Sequence, residues 1–164
     1  MKSLAEGTVF LVPYGAGREA LGVVARRQPR GSIVAVYVFR NAPAGWEQKE
    51  VGALPGPETA AFRGRMSDVH IRSGRWPSRG VHPSFDRTEW PFDRLGHRDA
   101  STGRCKAVVL DDRNPLTMVD VIDVSCEEAA QLPGDTIYAP DWLDEDLLPR
   151  LSAGEAEDPE NADW

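Results

Sequence analysis

A chain of 164 residues, 41% hydrophobic and 27% charged, has the size and composition of one folded domain with a core that needs no disulfide or metal staple. Its formal charge of −7 is unevenly spread: nine acids against one arginine over residues 141–164 leave −8 there and +1 over residues 1–140. A near-neutral body with an acidic end argues against nonspecific nucleic-acid binding, which needs a net basic footprint, and no run of about eighteen apolar residues exists to cross a membrane.

The opening MKSLAEGTVF places no long apolar stretch behind its lysine, so no secretory signal is read there and the expected location is the cytoplasm. TVFLVP (8–13) is a short apolar run stopped by Pro13, and ALGVVAR (20–26) puts Leu21, Val23 and Ala25 on one face. SIVAVYVFR (32–40) is almost continuously apolar, as a strand buried on both faces would be. Tyr14-Gly15-Ala16-Gly17 and Gln28-Pro29-Arg30-Gly31 supply turn residues between these runs, which predicts a three-stranded antiparallel meander.

Residues 41–57, rich in Gly, Pro and Ala, read as a loop with Trp46 packed down; PETAAFRGRM (57–66) reads as a short helix and SDVHIR (67–72) as a fourth strand. CKAVVLDD (105–112) and TMVDVIDV (117–124) are two further strands. SCEEAAQL (125–132) reads as a helix capped by Ser125 with Glu128 completing a capping box. DWLDEDLL (141–148) reads as another, with Asp141 at its N-cap and Pro149 ending it. The predicted fold is mainly β with some α: an antiparallel, strongly curved sheet or partly open barrel with two or three short helices. One domain covers residues 1–152. The acidic tail 153–164 carries too little apolar surface to order itself.

Few motifs carry chemistry. Gly15-Ala16-Gly17-Arg18-Glu19-Ala20 has the G-x-G-x-x-A spacing of a dinucleotide fingerprint, with Arg40 placed to hold a 2′-phosphate, but it needs a helix from about residue 18. Gly22, Val23-Val24 and Pro29 oppose that helix, and a hairpin turn is the simpler reading of the glycines. His70, His82 and His97, even with Asp86 or Asp93, lack metal-ligand spacing, and the serines near His82 (Ser78, Ser84) lack that of a triad. Cys105 and Cys126 are expected to be reduced, partly buried thiols. No cofactor, metal or catalytic residue is assigned, and an enzyme is not expected.

Between these elements lies SGRWPSRGVHPSFDRTEWPFDR (73–94), with two Trp-Pro pairs among many arginines. Proline disfavours a helical backbone at each tryptophan, so both indoles belong to extended or turn segments. Burying one contributes about 2–4 kcal/mol, enough to pin a long connection. Trp and Arg also dominate interface hot spots, which gives the segment a second use in recognition.

EGTVFLVPYGAGREALGVVAR, GRWPSRG and SFDRTEWPF resemble, in order and spacing, the opening strand–turn–strand, the G-x-W-P element and the later W-P stretch of the immunity protein 26 family of bacterial polymorphic-toxin systems. The resemblance covers residues 6–148. Thr8 stands where the family has an acid, and the tail has no counterpart. The resemblance implies a non-enzymatic, mainly antiparallel β protein of the cytoplasm that binds and neutralises a cognate toxin by occlusion. A basic toxin such as a nuclease would suit the acidic end. The residues placed against the toxin are Arg75, Trp76, Arg79, Asp86, Trp90, Asp141, Asp144 and Glu145; neither membrane nor nucleic acid is an expected partner. Two rival readings are an NADP-type protein using Gly15, Gly17 and Arg40, and a β-barrel RNA-binding module stacking bases on Trp76 and Trp90.

Overall fold

The computed structural model describes residues 4–42 and 52–154. Trp46 and residues 155–164 of the acidic tail lie outside them. The meander forms as read. Strands β1 (Thr8–Tyr14), β2 (Arg18–Arg27) and β3 (Ile33–Phe39) pair antiparallel in sequence order. Gly15 and Gly17 take positive φ in the first turn, a conformation glycine adopts without a Cβ clash. The residues that a dinucleotide fingerprint requires as a helix are therefore strand β2.

Residues 57–72 differ from expectation. Pro57–Thr59 is a single 3₁₀ turn, and β4 (Phe62–Ser67) follows, paired with β3; the predicted fourth strand is instead the one-turn helix α1 (Val69–Arg72). Pairing along the whole of β3 outweighs the helix propensity of the alanines, because an unpaired edge on so apolar a strand leaves backbone groups without partners. β5 (Ser78–Val81) pairs with β1 at the far edge, and β9 (Ile137–Tyr138) runs parallel to β4, giving the order β5-β1-β2-β3-β4-β9. β6 (Arg94–Arg98), β7 (Cys105–Asp111) and β8 (Asn114–Asp123) form a separate antiparallel sheet. The fold is mainly β, with two sheets not closed into a barrel.

Alternation along β1–β3 explains their unbroken hydrophobicity. Phe10, Val12, Ala20, Val24, Val36 and Val38 face one core; Val9, Leu11, Leu21, Val23, Tyr37 and Phe39 face the other. Helical residues Leu143, Leu147, Leu148 and Leu151 cover the first face, while Phe92, Leu95, Val108 and Leu110 of the smaller sheet and its approach cover the second. That helical segment begins with α3 (Pro140–Trp142), capped by Ala139 rather than Asp141. It does not stop at Pro149. The turn Leu143–Leu147 widens so that the Leu148 N–H reaches the Leu143 carbonyl, which makes room for the proline ring, and α4 (Leu148–Ser152) continues beyond it. Helix α2 (Cys126–Ala130) starts where predicted, with Ser125 accepting from the Glu128 N–H.

The two cysteines correct the thiol reading: Cys105 and Cys126 are disulfide-bonded. The β7–β8 hairpin brings them together. Val124 N–H donates to the Cys105 carbonyl across the ladder, and α2 begins two residues later, leaving the Cα atoms 5.0 Å apart.

Candidate partner-binding site

The first Trp-Pro pair is built from the sheet outward. Phe10 lies flat on Gly22, its cross-strand partner, where any Cβ would meet the ring at 2.1 Å. Trp76 stacks on Phe10 at 5.7 Å between centroids and 4° between planes, and it is fully buried. Its backbone is fixed on both sides: the Trp76 N–H donates to His70, and the Pro77 carbonyl accepts from Leu11 of β1. The indole N–H donates to Asp144 Oδ2 at 2.9 Å. Asp144 is itself buried, and this bond joins the Trp-Pro turn to the helical segment of the first face across 68 positions of sequence.

Above the buried pair, charged groups converge. Arg75 donates to Asp141 at 2.6 Å and to Glu145 at 3.0 Å, and reaches Asp144 Oδ2 at 3.3 Å. His70 Nε2 lies 2.7 Å from the same Asp141 oxygen. The His70 hydrogen bond, then Arg75, holds the Asp141 carboxyl below its ordinary value; the Glu145 bond leads those that hold the Arg75 guanidinium above its own. Arg75, Asp141 and Glu145 keep 44, 54 and 67% of their side-chain surface exposed, so these pairs contribute little to stability one by one and serve mainly to fix where the charges stand. Beside them a cleft of about 280 Å³ is lined by Tyr14, Gly15, Arg75, Trp76, Asp144 and Glu145.

Arg75, Trp76, Asp141, Asp144 and Glu145 thus come together as a group. Arg79, Asp86 and Trp90 lie elsewhere. Arg79 is on β5, half-buried; Asp86 caps the 3₁₀ turn Arg87–Glu89 by accepting from the Thr88 N–H, and the Thr88 hydroxyl, then that N–H, holds its carboxyl low. Trp90 is buried on the opposite face of the sheet, edge-on to Tyr37 and Phe39. With both indoles buried, neither offers a face to a nucleic-acid base or a partner; each mounts what stands around it.

His70 is the residue the sequence misplaced: it meets Asp141 and Asp144 rather than the other histidines, their ligand atoms all within 4.8 Å. Arg75 and the Trp76 N–H already counter that negative charge, so the donor set is one of an ion-pair hub. His82 accepts from both the Ser84 hydroxyl at 2.9 Å and the Ser84 N–H at 3.1 Å, while its Nε2 faces the Gly52 carbonyl at 2.8 Å. This closes a local turn. Ser84 lines none of the clefts described. No family model, curated protein or solved structure matches the chain.

Proposed function

We propose that the chain is an immunity protein, which binds a protein toxin and neutralises it by covering the toxin's working surface. One arrangement supports this reading above all: Arg75, Asp141 and Glu145 stand exposed on a turn and a helix whose undersides are locked by the buried Trp76–Asp144 bond. Charges held in place before binding lose little freedom on association and select partners by complementarity. Asp141, Asp144 and Glu145 are each engaged by a cation or by the indole, which suits recognition better than proton transfer. The likeness of GRWPSRG to the immunity-protein element adds to this. A basic toxin surface would find acids at the rim and in the tail.

No helix of the described residues is long and apolar enough to cross a membrane. The Cys105–Cys126 bond favours an oxidising compartment over the cytoplasm expected from the sequence. The test is to sequence the genes beside its own and to coexpress the chain with any toxin domain found there. Growth should be restored and a complex should survive gel filtration. Unrelieved arrest with folded protein present would overturn the reading.

A further inference from the structure

Each sheet has edges, and the edges of this protein are not treated alike. β5 is 4 residues long and carries Arg79, and β9 is 2 residues long. The outer edge of β6 is covered by residues 133–135, through Gly96 N–H to the Pro133 carbonyl and Asp135 N–H to the Gly96 carbonyl. β8 is the exception. It runs 10 residues, pairs only with β7 among the described residues, and exposes Met118, Val119 and Val121 by 60, 57 and 41%. A long apolar edge of this kind is a template for another strand.

The ladder shows which backbone groups are offered. Val124 N–H donates to β7, and Asp120 and Ile122 pair with Val109 and Ala107 in the same alternation, so Val121 and Asp123 turn their backbone groups outward. The outward Val121 N–H is bridged by the Asp120 carboxylate at 2.8 Å, a bond that an incoming strand can replace.

Charge selects the occupant. A second copy pairing antiparallel through residues 119–123 sets Asp120 or Asp123 opposite or diagonal to its own counterpart in every register, which is unfavourable. The chain's own residues 155–163 are acidic too. We propose that the free edge of β8 binds an extended segment of a partner protein in which Lys or Arg alternates with β-branched residues, adding a fourth strand to the smaller sheet. This edge lies on the sheet that covers the second core face, away from the Arg75 hub on the first, so both can be occupied together.

The probe is a labelled peptide alternating Lys and Val, followed by fluorescence anisotropy and amide exchange on the full chain. It should bind and protect residues 119–123. Val121→Pro removes an outward N–H without touching the β7 ladder and should weaken binding about fivefold to tenfold. Asp120→Lys with Asp123→Lys should transfer preference to a Glu–Val peptide. Equal binding of a Lys–Gly peptide, protection elsewhere, or protection of the same residues by concentration-dependent self-association would each overturn the proposal. Toxin neutralisation by the Val121→Pro chain is a separate outcome: its persistence would leave the immunity reading intact and confine this edge to other partners.

Discussion

The two Trp-Pro pairs share a dipeptide and lie on opposite faces of one sheet. Trp76 is held by a stacked ring on one side and a buried carboxylate beyond its N–H, and it carries the charged hub with it. Trp90 is held by the edges of Tyr37 and Phe39, while backbone carbonyls around it serve the sheet: Pro91 accepts from the Tyr37 hydroxyl, and Trp90 from buried Arg26. Arg26 continues to Asp112, which Arg87 also pairs, so the second pair fastens the smaller sheet to the larger. Identical sequence signals therefore do different work: one mounts a surface, the other joins two sheets. The difference comes from what lies beyond the indole, a buried acid or more aromatic rings.

Alanine at either position is the largest way to break the comparison. Trp76→Ala and Trp90→Ala should each lower stability by about 3–5 kcal/mol in denaturant titrations. Loss of the disulfide comes next and should touch only the second region. Cys126→Ser should cost about 3 kcal/mol by the loop-closure scale, matched by reductant on the wild type, and leave the Trp76 indole N–H as protected from exchange as before. Phenylalanine separates the two anchors more finely. Trp90→Phe keeps ring contacts and should cost under about 1.5 kcal/mol, whereas Trp76→Phe also removes the indole donor from buried Asp144, leaving it Arg75, and should cost about 1–2 kcal/mol more.

The smallest effect is acid titration of the hub. The Asp141 carboxyl is held low, first by the His70 hydrogen bond and then by Arg75, so its contribution is complete above the ordinary aspartate value of about 3.9. It is lost as pH falls through the lowered folded value. The His70 ring resonances, which report the bond to Asp141, should shift in that acid window, and Asp141→Asn should remove that shift. An identical profile in the variant would place the transition elsewhere.

Much of the fold is legible in the sequence where local signals and tertiary structure agree. The β-branched runs of β1–β3 and the glycines between them read directly, as does the Ser125 cap. Residues 57–72 mislead because Pro57 and two alanines mimic a helix start, while the strand there exists to satisfy β3. Pro149 misleads because a widened turn absorbs it. The polar RLGHR of β6 has no strand signature of its own and is made a strand by β7. Residue type singles out Arg75, Trp76, Asp141, Asp144 and Glu145 along with Arg79, Asp86 and Trp90, which lie elsewhere; the meeting of the first five across 66–70 positions depends on both segments packing on the same face. Nothing in the spacing of His70 from Asp141, or of Cys105 from Cys126, signals the contact that the fold makes between them.

The most direct measurement is the charge removal Arg75→Gln, read twice. The side chain is exposed, no new carboxylate is brought to the three acids, and the buried Trp76–Asp144 bond remains, so the melting temperature should stay within a few degrees of wild type. If the proposed immunity function holds, the same change should abolish protection in cells that coexpress a toxin domain found beside the gene. Protection retained at full strength with an unchanged melting temperature would contradict the proposal that this hub binds a toxin.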